Sequence, residues 1–247
     1  MATVASQAAA RTTFRPSFYF YVALIMTLFV FGGFSLAAID RFVKGQPNVF
    51  PPVVHLHGIT FVGWMSLLMV QTFLINVRNV ALHRTLGTFG IALGSAVLFT
   101  GALISMLGMS ASESSTPFYF DLMYLSVMAL LGFGFLFTLA IRQVRNPENH
   151  RRLILLSTIP LLPPGINRTY MVVLQLDYLP VLLTYLTMAA LAMSFLVYDR
   201  LRAGRVTGAS MIGAGVVFAQ ALLHWPISTS AAFAGFTEFL LGFVYYR

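Results

Sequence analysis

The sequence predicts an all-α fold, a polytopic bundle of transmembrane helices, from three observations. Charged residues make up 9% of the 247 residues, against about 25% in an ordinary soluble domain. Several apolar runs exceed the roughly 18 residues at which a segment reads as a membrane-crossing helix. The remaining basic residues gather in short connectors between those runs. A transmembrane β-barrel would instead show segments of about ten residues with alternating polarity.

Seven spans follow in order: 17–39, 52–77, 86–108, 118–141, 153–175, 179–198 and 208–226. The run Phe18 to Ile39 follows a small, weakly basic segment, as a signal peptide does. It is too long for a signal core and lacks a clear small-residue cleavage site, so it reads as the first span, after a short cytoplasmic segment over 1–16. The second span opens at the Pro51-Pro52 pair. The fifth carries Pro160, Pro163, Pro164 and Gly165, which predict an interruption. Pro226 is expected to end the seventh. The stretch Ile227 to Tyr246 has two readings. Glu238 at its middle would be costly in mid-membrane, which favours a surface or re-entrant segment over 227–247. Tyr245, Tyr246 and Arg247 would suit the anchor of an eighth span. Connectors are short, so consecutive helices should pack as antiparallel neighbours in a single domain, 1–247.

Basic residues set the expected orientation. With the N-terminus inside, the inner connectors hold Arg11, Arg15, Arg78, Arg84, Arg142, Arg145, Arg151, Arg152, Arg200, Arg202 and Arg205, while the outer side holds Arg41 and Lys44. That bias is the positive-inside pattern. It also accounts for the net charge of +8 without nucleic acid, since no basic domain exists to hold a duplex. Cysteine is absent, which excludes disulfides, thiolate metal sites and cysteine nucleophiles. No HExxH, GxSxG, P-loop or dinucleotide fingerprint is present, and no lysine within a span could carry a retinal Schiff base.

One motif recurs. Arg78, Asn79, His83, Arg84 and Leu86 match Arg145, Asn146, His150, Arg151 and Leu153, 67 positions on. Both copies join apolar runs, one between spans 2 and 3 and one between spans 4 and 5, as in a duplicated hairpin. His83-Arg84 and His150-Arg151 then stand just ahead of two outward helices, whose free N–H groups attract anions such as a lipid headgroup. Topology and contact with anionic lipid account for the same residues.

Two further patterns carry candidate chemistry. His57, Trp64, Gln71 and Arg78 recur every seven residues along span 2, nearly two full turns, so they share one face that drifts by about 20° per step. That face is either an inward packing surface joined by interhelical hydrogen bonds or the wall of a cavity for haem or quinone. Depth counting at about 1.5 Å per residue places His57, Asp121, Arg168, His224 and Asp40 in the outer half. An Arg168–Asp121 ion pair with core histidines is one expectation. A haem or divalent-metal site is the other, with His57 and His224 as ligands, Asp121 completing a metal set and Arg168 in support. His55 would join only if the Pro51-Pro52 end is irregular, because His55 and His57 differ by about 200° on a helix. The proline-rich break is either a simple kink or a binding site, with Arg168 beside it.

The run His57-Gly58, Trp64, Gln71-Thr72, Arg78 and His83-Arg84-Thr85-Leu86-Gly87, with His150-Arg151-Arg152-Leu153 and Arg168, resembles bacterial multi-pass inner-membrane proteins of unknown function. The resemblance covers roughly residues 55–170 and implies an inner-membrane location, with no activity to carry over. The chain also resembles b-type cytochromes and haem-handling membrane proteins, from whose histidine spacing it departs. Three functions are therefore expected as alternatives: a cofactor-binding membrane protein with scope for redox chemistry, an accessory subunit that packs with partner subunits or lipid, and a transporter of a small solute or lipid.

Overall fold

The computed structural model describes residues 16–46, 50–110 and 117–242. The expectations placed on 1–15 and on Tyr245, Tyr246 and Arg247 lie outside them. The described residues form α1 (Phe18–Val43), α2 (Pro52–Asn76), α3 (Val80–Ser110), α4 (Pro117–Arg142), α5 (Pro147–Thr158), a 3₁₀ turn (Ile159–Leu161), α6 (Pro163–Val173), α7 (Val181–Ala203), α8 (Gly208–Leu222), α9 (His224–Ser228) and α10 (Ala231–Gly242). No strand occurs among them. Five helices are long and apolar enough to cross a membrane: α1, α2, α3, α4 and α7.

Polar side chains start these helices. Ser17 accepts from the Phe20 N–H, Asn146 from Asn149 and Thr207 from Ser210; Asn79 accepts from the Leu82 N–H at 3.2 Å. Each takes one donor that the first turn leaves free. These caps set the third and fifth helices six residues earlier than expected, at Val80 and Pro147 rather than 86 and 153. The chain after α7 turns through Gly204 at φ 69°, and the chain after α2 turns through Arg78 at φ 60°. Glycine enters that left-handed region freely, while an arginine is strained there.

The bundle has two ends. The Ser17 N–H donates to Asn76 Oδ1 at 2.9 Å, and the Arg151 guanidinium lies over the Tyr19 ring. The start of α1, the α2–α3 and α4–α5 connectors and the α7–α8 turn therefore share one end, with its many arginines. The outward faces are apolar: Leu28, Ile59, Phe99, Leu131, Leu182 and Leu222 are all exposed. A water-soluble protein does not present such a surface, and the arrangement is that of a membrane protein.

Polarity runs inward. α5, the 3₁₀ turn and α6 form one interrupted helix, packed against α1, α4, α7 and α8. It is the least apolar of the long segments, yet Arg152, Ser157, Thr158 and Asn167 on it are buried. Prolines cause the interruption. Pro160, Pro163 and Pro164 lack the N–H that continues an α-helix, and the chain tightens instead through a Leu162 N–H to Ile159 oxygen bond of 3.0 Å. Just beyond, Gly165 crosses Gly33 of α1. A methyl group on Gly165 would lie 2.7 Å from the Phe29 oxygen, and one on Gly33 would overlap the Gly165 carbonyl. Small residues of this kind let two membrane helices meet backbone to backbone.

The expected seventh span is two helices. α8 ends at Leu222, four residues before Pro226, and α9 takes that proline into its own first turn, where no N–H is needed. α10 packs against α3 and α9. Its 12 residues extend about 18 Å, short of the roughly 30 Å of a bilayer core.

Candidate functional site

The half of the bundle away from the arginine-rich end holds two polar centres. The first is His224, which the α8–α9 break brings to the bundle interior, where it is fully buried. Its Nε2 lies 2.9 Å from Asp121 Oδ1 of α4, and its Nδ1 lies 3.0 Å from the Tyr185 hydroxyl of α7. The ring is edge-on to Tyr124, centroids 4.7 Å apart. The Tyr124 hydroxyl donates to the Gln220 carbonyl at 2.9 Å, and the Gln220 amide donates to Met128 oxygen at 2.5 Å. Three helices are thus tied through one imidazole, both of whose nitrogens have protein partners.

The second centre is a cavity of about 380 Å³ at the helix break. Buried Phe61, Val97, Leu125 and Leu161 give it apolar walls, while exposed Phe34, Leu122, Pro164 and Arg168 stand at its open side. His57, Ser105, Ser126 and Asn167 are its other polar lining. The Arg168 guanidinium sits 4.4 Å from the Phe34 ring centre, and its Nη1 donates to the Pro164 carbonyl at 2.9 Å. Among the described residues no carboxylate pairs with it. The Thr184 hydroxyl donates to Asn167 Oδ1, which leaves the amide NH₂ of that nearly inaccessible side chain for another acceptor.

His57 belongs to a small hydrogen-bonded cluster with Thr60 and Thr100. Its Nδ1 lies 3.2 Å from the Thr100 hydroxyl oxygen. The Thr100 hydroxyl donates to Ala96 oxygen at 2.8 Å, so its one hydrogen is used. With that hydrogen on Ala96 oxygen, rather than on Thr60 Oγ1 at 2.9 Å, Nδ1 is the donor and a neutral His57 carries its lone pair on Nε2.

The depth expectation places His57, Asp121, Arg168 and His224 in one half of the bundle, and there they lie; the expected pairings differ. Asp121 pairs with His224 rather than with Arg168. The expected metal set of His55, His57, His224 and Asp121 is not assembled: among the described residues no three His, Asp or Glu side chains come together to hold an ion. His55 is exposed on a regular α2, and His224 has no free nitrogen for haem or metal. Of the seven-residue stripe, His57 lines the cavity, while Trp64 and Gln71 face inward as packing. Trp64, buried between Phe133 and Phe137, donates to Thr158 Oγ1 at 3.3 Å. Gln71 donates to His83 oxygen at 3.1 Å. Arg78 leaves the stripe at the connector.

The repeated motif is a helix-start device. In both copies the asparagine caps and the histidine N–H donates to the asparagine carbonyl, at 3.1 Å for His83 and 2.9 Å for His150. The His-Arg pairs therefore lie in the second turn, not ahead of the helix, and the caps already occupy part of the expected anion site. His150 Nδ1 bonds Ala140 oxygen at 2.9 Å. Arg151 is paired with Glu148, and Arg84 is exposed.

Sequence reasoning missed a buried ion pair at the arginine-rich end. Arg152 donates through Nε and Nη2 to Asp199 Oδ1, at 2.9 and 2.6 Å, and through Nη1 to Glu148. Asp199 Oδ2 accepts from the N–H and hydroxyl of Thr207 at 3.0 and 2.6 Å. The available signal was scarcity: with only 7 acidic residues in the chain, an aspartate near a helix end needs a partner. No family model, no curated protein and no solved structure matches this chain.

Proposed function

We propose that this chain is a multi-pass membrane protein that takes up a small amphipathic anion in the cavity at the helix break, with Arg168 as counter-ion. The observation that carries this reading is a guanidinium that has no carboxylate partner among the described residues, at the open side of a mostly apolar cavity. A charge within a membrane span is costly enough that such a residue is a functional site by default, and a cation at the mouth of an apolar pocket selects a negative head and a greasy body. In this reading α1 to α4, the interrupted α5–α6 helix, α7 and the α8–α9 pair make seven crossings, with the arginine-rich end cytoplasmic. The cavity then opens in the outer leaflet, where an amphiphile can enter sideways from the bilayer, as binding protein or transporter. The resemblance to bacterial inner-membrane proteins supports the same location.

The test is thermal unfolding of the purified protein in lipid nanodiscs with added octanoate, octanol or octylammonium. Octanoate should raise the midpoint in the wild type and not in Arg168→Gln, since a ligand stabilises only a protein that it binds. Equal shifts with all three amphiphiles, or none with octanoate or any other anionic amphiphile, would overturn the reading. A second reading rests on His57, whose Nε2 lone pair beside the cavity suits a single axial ligand to haem or metal. An absorbance spectrum and metal analysis of the purified protein decide it: a Soret band or stoichiometric metal that disappears in His57→Ala would carry it.

A further inference from the structure

Resting on that reading, we infer that the anion is a monocarboxylate with an apolar tail, rather than a phosphate ester. The charge at the site is small. Arg168 is the only cation that lines the cavity among the described residues, whereas a phosphate monoester carries nearly two negative charges at neutral pH. A single guanidinium balances a carboxylate and leaves a phosphate partly unpaired in an apolar pocket, where unpaired charge is strongly disfavoured.

Donor geometry agrees. Nη1 of Arg168 is directed to the Pro164 carbonyl and the central carbon of the group lies 4.4 Å from the Phe34 ring centre. Among the described residues Nε and Nη2 have no partner. Those two N–H groups lie side by side on one edge of the guanidinium, a fork that matches the two oxygens of a carboxylate. The preceding residue, Asn167, is 4% exposed and lines the same cavity. Its Oδ1 is occupied by Thr184, so the amide can only donate. Two donors on Arg168 and one on Asn167 serve a carboxylate, and no further cation among the described residues lines the cavity for a second charge.

The apolar walls set the tail. Each methylene removed from water contributes about a fourfold gain in affinity, so binding should rise along a series of chain lengths until the cavity is full.

The experiment is calorimetric titration of wild-type protein in nanodiscs with hexanoate, octanoate and octyl phosphate, corrected for partition into empty nanodiscs. Octanoate should bind about 15-fold more tightly than hexanoate, two methylenes at about fourfold each, and at least tenfold more tightly than octyl phosphate. Arg168→Lys keeps the charge and loses the fork, and should weaken octanoate at least tenfold while hexanoate and octanoate keep their ratio. The wild-type ligand panel stands even if that variant does not fold. Octyl phosphate binding as tightly as octanoate, with both lost in Arg168→Gln, would sink the carboxylate inference and leave the anion reading intact. Absence of any saturable anion binding would remove both.

Discussion

The Arg152–Asp199 pair allows a quantitative test of what holds the arginine-rich end together. Both side chains are nearly inaccessible, at 5% and 1% exposure. Removing one partner of a buried pair costs about 3–5 kcal/mol, because the other charge is left unpaired. The two single variants should differ within that range. Asp199→Leu leaves Arg152 with Glu148, which still accepts from Nη1 at 2.6 Å but is 59% exposed, so a cost near 3 kcal/mol is expected. Arg152→Met leaves Asp199 with only neutral donors, from Thr207 and the Ser210 side chain, so the cost should lie nearer 5 kcal/mol. The double variant removes both charges together and puts apolar groups in their place, which is often neutral. Its cost should fall well below the sum of the singles, with a coupling of about 3 kcal/mol or more. Equilibrium unfolding of the four proteins in mixed micelles of detergent and SDS measures it. A coupling below about 1 kcal/mol, the range of an exposed pair, would refute the view that this pair is a buried lock.

Four further outcomes follow from the structure. Arg78→Gly should stabilise by about 1 kcal/mol, because it relieves a left-handed residue; denaturant midpoints report it, and an unchanged or lower value counts against strain at φ 60°. Gly165→Val should separate α6 from α1 and destabilise by at least about 3 kcal/mol, the upper range for overpacking, since its Cβ would meet main-chain atoms, which cannot swing away; wild-type melting of that variant would contradict the close crossing. Tyr185→Phe should cost about 1–3 kcal/mol by leaving a buried nitrogen of His224 unpaired, whereas Phe at the neighbouring but exposed Tyr178 should cost almost nothing. Glu148 is held below its ordinary value of 4.5, first by its hydrogen bond from Arg152. A carboxylate depressed in the folded state contributes stability that is complete above the unfolded value and lost as pH falls through the folded one. The wild type should therefore lose up to about 1 kcal/mol below pH 4.5 relative to Glu148→Gln, and parallel pH profiles for the two proteins would show that the pair contributes nothing.

Much of the architecture was legible because hydropathy and length constrain membrane helices so strongly. The half of the bundle that holds His57, Asp121, Arg168 and His224 followed from counting depth along each run. Their pairings did not, because pairing depends on rotation about each helix axis. A span such as α4, apolar along nearly its whole length beyond Asp121, gives little sign of which face turns inward. Asp121 therefore met His224 rather than Arg168. Helix starts were misplaced for a chemical reason: Asn79 and Asn146 belong to polar stretches that resemble loop, yet asparagine there caps a helix and draws the histidines into it. The break at Pro160 to Pro164 was visible at once. That it borders a cavity depended on Phe61, Val97 and Leu125 from three other helices, which no local pattern connects.

On the proposed seven-crossing topology, the interrupted α5–α6 helix has a consequence for how the protein is made. Translocon insertion tests each segment against lipid, and Arg152 alone raises that barrier by about 2.5–3.5 kcal/mol at a helix centre, less near its end. Neither α5 nor α6 is among the helices apolar enough to cross by themselves. The segment at the centre of the finished bundle is thus poorly suited to enter the bilayer alone. It needs α4 beside it at once, through the short Gln143–Asn146 connector, and gains its remaining partners as α7 and α8 emerge from the ribosome. Synthesis order and final packing are coupled here: the last helices made complete the surroundings of one made earlier, and a chain truncated before Asp199 would leave Arg152 in the membrane without its buried counter-charge.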